Sequence, residues 1–270
     1  MLGSVPVWHK GRVPYVHVND IDLYYEESGA PDAPPLVLMH GGSGSLDDAE
    51  TSWSALAPSF TEHYRVLALE HRGHGHTGNP AGRLGYDLLA SDLRAIVDAL
   101  ELGPVHFAGL SDGGITGLYL ALESPEILSS LVCVGTNFRV DEPIREALRN
   151  AEPETAEELF PEWAADLARR HDRHHGDGYW RELMRQIVAM ASTTPDFTET
   201  DLARITTPAL FIAGETDPFA NTEQMIAFKR HVPGAEWLIV NNAWHTVQHT
   251  HSALVGPRIL DFLGRHSPHD

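Results

Sequence analysis

Cysteine, basic residues and long apolar runs are scarce in this 270-residue sequence. The single cysteine, Cys133, cannot form an internal disulfide, and its place in the apolar run LVCVG predicts a small buried side chain. No run approaches the roughly 20 apolar residues of a membrane-spanning helix. The first residues, MLGSVPVWHKGR, lack the apolar core of a secretory signal. These absences predict a soluble, cytoplasmic protein that does not bind membranes.

The charge balance is strongly acidic. Lys and Arg number 19 against 38 Asp and Glu, which gives a formal net charge of −19. Nucleic acids and anionic membrane surfaces bind proteins through clustered basic side chains, so neither is expected as a partner. Because 42% of the residues are hydrophobic, the chain can bury a substantial core. We expect a globular protein that acts on a small molecule as a monomer or a homodimer.

Short apolar or β-branched runs alternate with longer stretches of helical periodicity. This alternation predicts the α/β fold class, in which helices cover both faces of a mostly parallel sheet. The first two runs are separated only by Asn19-Asp20, which is typical of an antiparallel hairpin. Eight strands are predicted, over residues 15–18, 21–26, 35–40, 65–70, 105–110, 131–136, 209–214 and 236–242.

The clearest helical patterns span residues 86–102, 113–122 and 247–263. Pro257 predicts a kink or a break in the last of them. Residues 137–204 interrupt the alternation, because they are rich in charge and contain no convincing strand. They nevertheless carry many large apolar side chains, which a disordered insert would lack. We therefore predict a core formed by residues 1–136 and 205–270, with several helices at 137–204 folded over it.

The segment Gly109-Leu110-Ser111-Asp112-Gly113 has the pattern G-x-S-x-G. So short a pattern arises by chance in roughly one chain in ten of this length, but here it ends a strand and opens a helix, as a nucleophile elbow does. Glycines at both ends fit a tight turn, and the helix N-terminus favours negative charge that develops beside Ser111. We predict a nucleophilic Ser111 rather than a hydroxyl that only caps the helix.

A serine nucleophile needs a base, and the base needs an acid that orients it. Asp217 follows the predicted strand 209–214, and His245 follows the last predicted strand. Because the carboxyl ends of parallel strands meet at one edge of a sheet, the loops after three strands bring Ser111, Asp217 and His245 together. We predict these three as the catalytic residues.

The acid and the base each have a competing interpretation. Asp217 precedes Pro218, and Asp-Pro pairs commonly form turns. His249 and His251 are further candidates for the base, but the helical pattern places them inside the last helix rather than in the loop before it. The loop position therefore favours His245 as the base, while the residues alone leave the turn-forming interpretation of Asp217 open.

A glycine-rich stretch, MHGGSGS at 39–45, follows the third predicted strand. Acyl transfer requires stabilisation of an oxyanion, and glycines allow backbone N–H groups to turn toward it. We predict the N–H groups of Gly42 and Asp112 as the two donors. Because His40 precedes the glycines, we expect it to brace the loop.

Five segments of the chain follow one another in a recognisable order: His40-Gly41-Gly42, the turn 70–77, the elbow, Gly214-Glu215-Thr216-Asp217-Pro218 and His245. Together they resemble the α/β-hydrolase superfamily, and the likeness covers nearly the whole chain. The elbow and its helix, GLSDGGITGLYLALESPE, are similar to those of the valacyclovir hydrolase (biphenyl hydrolase-like) group, which cleaves esters. The resemblance implies an eight-stranded sheet with a helical cap inserted after the sixth strand, here residues 137–204.

The chain departs from the family pattern at the turn 70–77. That turn usually begins with Asp and ends with Ser, where this chain has Glu70 and Thr77; both exchanges keep the chemical type. Some members of the superfamily place the acid after the sixth strand, which makes Asp141 the alternative to Asp217. Structural roles are expected for the other polar residues of the turn, Arg72, His74 and His76.

The large side chains of the predicted cap leave two interpretations open. They either line the substrate pocket or attach the cap to the core. The candidates for substrate binding are Trp163, Tyr179, Trp180 and Met184.

Two charged runs are expected to lie at the protein surface. The run HDRHH, residues 171–175, has a helical spacing that can present two imidazoles to a metal. No cysteine or recognised acidic motif accompanies it, so we expect a solvated surface and no metal site. The acidic run 46–50 is expected to be a solvated helix start, with a site for a substrate amine as the alternative.

The residues together predict a serine hydrolase that forms an acyl-enzyme on Ser111. A small carboxylic ester is the expected substrate, with lactones and thioesters as further candidates, and neither a metal nor an organic cofactor is required. The same three residues also support cleavage of carbon–carbon bonds or, as in aminopeptidase-type relatives, of amides. A ligand receptor with negligible turnover is the alternative of another class. Epoxide and haloalkane hydrolysis are disfavoured, because relatives with those activities carry Asp at the position of Ser111.

Overall fold

A single eight-stranded sheet runs through the computed structural model, which describes residues 15–267. The strands are β1 (Tyr15–Val18), β2 (Ile21–Ser28), β3 (Pro35–Met39), β4 (Arg65–Leu69), β5 (Val105–Leu110), β6 (Leu128–Val134), β7 (Ala209–Gly214) and β8 (Glu236–Val240). Their order across the sheet is β1-β2-β4-β3-β5-β6-β7-β8. The pairs β1–β2 and β2–β4 are antiparallel, and the other pairs are parallel.

The structure confirms the predicted α/β class and the eight predicted strands. The largest shift is at β6, which begins at Leu128 rather than at residue 131. Every residue of β5 and of β7 is buried, which explains why these strands read as continuous apolar runs. The segment MLGSVPVWHKGR and the last three residues of the predicted core lie outside the described residues.

Helices cover both faces of the sheet. They are α1 (Ala57–Phe60), α2 (Tyr86–Ala99), α3 (Asp112–Glu123), α4 (Glu142–Asn150), α5 (Pro153–Leu159), α6 (Pro161–His175), α7 (Tyr179–Ala191), α8 (Glu199–Leu202), α9 (Thr222–His231), α10 (Val247–Thr250) and α11 (Ser252–Arg265). The core on one face includes side chains of α2, α3 and α9, and the core on the other face includes those of α1 and α11. Cys133 lies in the first of these cores at 1% exposure, as predicted.

The C-terminal helix is broken, but not at Pro257. The break lies at His251, between α10 and α11, and Pro257 falls inside α11. Proline crowds the Cβ of the residue before it in a helix, and that residue here is Gly256, which has no Cβ. Within residues 15–267, none of the helices combines the length and the apolar character required to cross a membrane.

Five helices, α4 to α8, lie between β6 and β7, where the sequence predicts several helices over residues 137–204. We call this segment the insertion. Helices α6 and α7 pack together through a cluster of their own, formed by the buried side chains of Ala164, Leu167, Trp180, Leu183, Met184 and Ile187. This insertion cluster gives the segment an apolar interior separate from the two faces of the sheet.

A buried ion pair fixes the turn after β4. The guanidinium group of Arg72 is fully buried and donates to both carboxylate oxygens of Asp92 on α2, at 2.6 and 2.7 Å. It also donates to Asp20 at 2.9 Å. Arg72 is therefore structural, as expected, and it ties the turn to α2 and to the β1–β2 hairpin.

Asp92→Ala should lower the free energy of unfolding by about 3 kcal/mol, because it leaves a buried charge without its main partner. Asp98→Ala on the same helix is the matched control, since Asp98 is exposed and lies 3.7 Å from Arg94; its effect should be close to zero. Urea unfolding followed by circular dichroism measures both. Equal losses in the two variants would contradict the structural role of the Arg72–Asp92 pair.

Candidate active site

Ser111 lies in the turn that joins β5 to α3. Its backbone has φ 50° and ψ −116°, a region that residues other than glycine rarely occupy and that recurs at functional sites. The Ser111 N–H donates to the carbonyl of Val134 in β6 at 2.7 Å. A Cβ on Gly109 would lie 2.3 Å from the carbonyl carbon of Gly113, so the turn requires glycine there. The geometry is the tight strand-to-helix turn that the sequence predicts.

Asp217 and His245 are hydrogen bonded to each other. Asp217 follows β7, His245 follows β8, and both are buried. The Oδ2 atom of Asp217 lies 2.8 Å from Nδ1 of His245, while Oδ1 accepts the N–H groups of Phe219 and Ala220 at 2.8 and 3.1 Å. The carboxylate is thus held by three donors, and the imidazole keeps Nε2 for another partner.

Neighbouring strand ends bring the His245 ring toward Ser111. Leu110 of β5 is paired with Val134 of β6, and Ser111 and Gly135 directly follow the ends of these two strands. A Cβ on Gly135 would lie 2.8 Å from Cε1 of His245. The imidazole therefore packs against the end of β6, beside the strand end that carries the serine.

The alternative candidates for the acid and the base lie elsewhere and, for Asp141, have other hydrogen-bond partners. Asp141 caps α4 and accepts hydrogen bonds from the side chains of Asn221 and Gln224 at 2.7 and 3.2 Å. His249 lies in α10, and His251 lies at the junction of α10 and α11. The structure thus joins His245 to Asp217 and gives Asp141 a separate role at the start of α4.

His40 braces the glycine-rich loop after β3, as expected. Its Nε2 accepts the N–H of His71 at 3.1 Å, so Nδ1 carries the proton and donates to the carbonyl of Gly41 at 2.7 Å. The same carbonyl accepts the N–H of Gly44 at 3.1 Å, which closes a turn over the two residues between them. A Cβ on Gly41 would lie 3.4 Å from Cβ of Ser111, so this turn stands directly beside the elbow.

The family follows from a comparison of the sequence with known protein families. A sequence model described as the alpha/beta hydrolase fold matches residues 34–185. The protein belongs to the α/β-hydrolase family. It is 27% identical to the human serine hydrolase BPHL over 248 residues, which are 86% of this chain and 79% of that protein. It is 29% identical to 3-oxoadipate enol-lactonase 2 of Acinetobacter baylyi over 232 residues, 79% of this chain and 82% of that one.

Solved structures agree with this assignment. The enol-lactonase from Burkholderia xenovorans LB400 superposes on this α/β-hydrolase with a TM-score of 0.75, covering 93% of this chain and 100% of that chain at 24% sequence identity. A hydrolase from Pseudomonas aeruginosa PA01 gives the same TM-score at 27% identity, covering 93% and 97% of the two chains. The fold is therefore that of the superfamily which the sequence resembles, and the protein is a hydrolase of that family.

The side chain of Asp112 is a part of this α/β-hydrolase site that sequence reasoning missed, since only its N–H was considered. The residue is 8% exposed, and its Oδ1 accepts the hydroxyl of Tyr86 at 2.8 Å. A Cβ on Gly42 would lie 2.3 Å from Oδ2, so the carboxylate stands against the glycine-rich loop. The sequence contained a signal for this role, because an acidic residue directly follows the predicted nucleophile.

Neighbouring carboxylates and burial act in opposite directions on the pKa values of the site. Burial acts to lower the pKa of His245, but the Asp217 carboxylate and its hydrogen bond outweigh burial and raise that pKa above its ordinary value. Burial acts to raise the pKa of Asp217, yet the interaction with His245 and the backbone N–H donors hold it below its usual range. Burial raises the pKa of Asp112, although the hydrogen bond from Tyr86 opposes this.

At His171, the run 171–175 is not the solvated surface that was expected. His174 is exposed, but His171 is 0% exposed. Its Nδ1 accepts the N–H of Gly75 at 3.1 Å, and its Nε2 donates to the carbonyl of Ser43 at 3.0 Å. Burial lowers the pKa of His171 to about 4, so the ring is neutral at pH 7. The expectation failed because these partners lie 96 and 128 positions away along the chain.

The acidic run 46–50 forms turns rather than the start of a helix. The carboxylate of Asp48 accepts the N–H groups of Glu50 and Thr51 at 3.1 and 3.2 Å. Such bonds offer the backbone an alternative to the helix. The same carboxylate accepts a hydrogen bond from Arg170 on α6 at 2.8 Å, so the run contacts the insertion instead of solvent alone.

Asp47, His76 and His174 come together at the surface, with one ligand atom of each within 4.8 Å of the others. Arg173 donates to the Asp47 carboxylate and, at 2.7 Å, to Nε2 of His174. Nδ1 of His76 lies 3.3 Å from the Glu70 carboxylate. Ion pairs and hydrogen bonds among the described residues account for this cluster, and we assign no metal to it.

The predicted substrate-binding residues lie in and around the insertion cluster. Trp180 and Met184 are each 2% exposed within it, and Trp163 packs against it half-buried. The Tyr179 hydroxyl donates to the carbonyl of Gly73 at 3.0 Å, which fastens α7 to the turn after β4. Contact between these four side chains and a substrate stays a prediction.

Ile187 of α7 reaches the site and was missed. A Cβ on Gly42 would lie 3.6 Å from its Cγ2 atom, so α7 approaches the glycine-rich loop at this position. The signal was available in the sequence, because α7 carries apolar side chains at the helical spacing Trp180, Leu183, Met184 and Ile187.

The pKa of His245 should depend on Asp217. NMR titration of the His245 ring should give a pKa above 6.5 in the wild-type protein. Asp217→Asn removes the carboxylate that raises this pKa and leaves the burial that lowers it, so the value should fall. Asp141→Asn is the control and should leave the pKa unchanged. A fall in the Asp141 variant alone would make Asp141 the partner of His245.

Proposed function

We propose that this α/β-hydrolase cleaves a small carboxylic ester through an acyl-enzyme on Ser111, with Asp217 and His245 as acid and base. The observation that carries the proposal is the 2.8 Å hydrogen bond between Asp217 and His245, which lies at the same edge of the sheet as Ser111 because β5, β7 and β8 run in the same direction. Lactones contain the same ester carbonyl, and the enol-lactonase name of a relative adds them as the second substrate class.

The proposed reaction begins when Nε2 of His245 removes the proton from Ser111 Oγ, which attacks the ester carbonyl. Asp217 accepts a hydrogen bond from Nδ1–H of the imidazole, so Nε2 is the free base. Asp217 also stabilises the imidazolium that forms. His245 then delivers the proton to the departing alcohol. A water molecule deprotonated by the same nitrogen attacks the acyl-enzyme and releases the acid. Neither step requires a metal or an organic cofactor.

The N–H groups of Gly42 and Asp112 are the proposed donors to the oxyanion. Within residues 15–267, neither amide donates a hydrogen bond to a protein group, which leaves both available. Asp112 is also the first residue of α3, whose N-terminus favours negative charge. These features support a site for the oxyanion between the loop and the elbow.

We further propose that the insertion is a helical cap, residues 137–204, over a core formed by 1–136 and 205–270. The approach of Ile187 to Gly42 supports a place for α7 above the acyl group. Trp163, Tyr179, Trp180 and Met184 then shape the cap from which Ile187 projects, and the packing of this cap limits the size of the acyl group.

Ser111→Ala should lower kcat/KM for a short p-nitrophenyl ester by at least about 10³-fold. The side chain lost is the nucleophile itself, so a fluorophosphonate should label wild-type Ser111, detected by mass spectrometry, and should not label the variant. Unchanged thermal unfolding controls for misfolding. Retained turnover by a folded Ser111→Ala protein would refute the assignment, and a stoichiometric burst without turnover in the wild type would favour the receptor alternative.

The carboxylate of Asp112 should make the site select substrates by charge. Beside the acyl carbon, it attracts a cationic acyl group and repels an anionic one. At pH 7, ethyl propionate, alanine ethyl ester and monoethyl malonate differ mainly in that charge, and the alanine ester should be the best of the three. Asp112→Asn keeps the backbone N–H and should lower the kcat/KM ratio of alanine ester to propionate ester by about 10-fold. An unchanged ratio would place the carboxylate outside the acyl site.

A further inference from the structure

Helix α6 of the insertion contacts the glycine-rich loop through two neighbouring side chains. Nη1 of Arg170 donates to the carbonyl of Ser43 at 3.2 Å, and Nε2 of His171 donates to the same carbonyl at 3.0 Å. The two residues are 5% and 0% exposed. A carbonyl oxygen accepts two hydrogen bonds, so α6 supplies both partners of this one oxygen.

Ser43 is held in a conformation that a side chain disfavours. Its φ is 62°, in the left-handed region. It follows Gly42 directly and lies inside the turn that the N–H of Gly44 closes onto the carbonyl of Gly41. The shape of this turn, and with it the direction of the Gly42 amide, therefore depends on what holds Ser43 in place.

His171 joins this loop to a second segment of the core. The N–H of Gly75, in the turn after β4, donates to Nδ1 at 3.1 Å. That bond leaves the ring proton on Nε2, which is the nitrogen that donates to Ser43. The neutral ring thus acts as acceptor on one side and donor on the other, and it keeps the loop and the turn at a fixed separation.

Arg170 is itself held on both sides. Its guanidinium donates to Asp48, which follows the glycine-rich loop, at 2.8 Å, and to Asp166 one turn earlier on α6. Two carboxylates compensate the buried charge, so the side chain has a fixed direction when it reaches Ser43. The neighbouring Arg169 is exposed and contacts Asp166 alone among these groups.

We propose that Arg170 and His171 are positioning residues for the oxyanion site: by holding the Ser43 carbonyl, they fix the turn that presents the Gly42 amide. The inference rests on the proposed function, because it assigns Gly42 a role in the reaction. It makes the insertion part of the apparatus that stabilises the transition state, in addition to any part in substrate selection.

A pair of His171 variants tests the proposal. In His171→Gln the amide nitrogen takes the place of Nε2 and keeps the donor to Ser43. In His171→Asn the amide oxygen takes the place of Nδ1, which keeps the acceptor for Gly75 and loses the bond to Ser43. We expect the kcat of His171→Gln to stay within about threefold of the wild-type value. In His171→Asn, kcat and kcat/KM should fall by the same factor, about 10-fold or more, because an oxyanion contact is made in the transition state.

A boronic acid that forms a tetrahedral adduct with Ser111 gives a second readout. Its affinity should fall in His171→Asn by the same factor as kcat/KM and should stay near the wild-type value in His171→Gln. Thermal unfolding of both variants shows whether a loss is one of folding. Equal kinetic losses in the two variants, or a loss confined to KM, would overturn the proposal.

Neighbouring arginines supply the matched control. Arg170→Met removes the second donor to Ser43 and should lower kcat by about 10-fold with little change in KM. Arg169→Met alters the adjacent residue of the same helix and should leave kcat unchanged. Equal effects of the two substitutions would overturn the role of Arg170.

Failure of the proposed function gives a different result from failure of this inference. If a fluorophosphonate does not label wild-type Ser111, the serine mechanism is wrong, and the positioning role falls with it. If Ser111 is labelled and His171→Asn turns over esters at the wild-type rate, the serine mechanism stands and the positioning role is wrong.

Discussion

Parallel pairing of the central strands is the constraint on which the rest of the site depends. Because β3, β5, β6, β7 and β8 run in the same direction, the segments that follow them meet at one edge of the sheet. The glycine-rich loop, the elbow, Asp217 and His245 each follow one of these strands. Residues separated by more than 100 positions thereby come together, and no single helix or loop has to carry the whole site.

The sequence predicted the features that depend on residues close together along the chain, such as strand burial and tight turns. A strand buried on both faces must be apolar throughout, and a tight turn between β5 and α3 must have glycine at Gly109, so both leave a mark in the sequence. The burial of His171 leaves no such mark, because its partners Ser43 and Gly75 come from distant segments. The run 46–50 misled for the same reason only in part: the contact of Asp48 with Arg170 of α6 is distant, whereas its bonds to Glu50 and Thr51 are local and replace the start of a helix.

Electrostatics at the site is a balance between neighbouring carboxylates. Asp217 sits behind the imidazole of His245 and stabilises its positive form, while Asp112 stands on the side of the glycine-rich loop. A negative group close to a developing oxyanion opposes it. The hydroxyl of Tyr86 and the N-terminus of α3 offset part of that charge. If Asp112 faces the acyl group as proposed, the charge that remains on its carboxylate also discriminates between charged substrates.

The contacts of α6 link two properties that are usually treated separately. If one face of the insertion selects the acyl group and another holds Ser43, a change that repacks the insertion for a new substrate also moves Arg170 and His171. Such a change disturbs the turn at Gly42, because an interior packed at high density transmits small shifts. Substrate range and oxyanion geometry then cannot vary independently. The substitutions that α6 and α7 tolerate are limited to those that leave the Ser43 carbonyl in place.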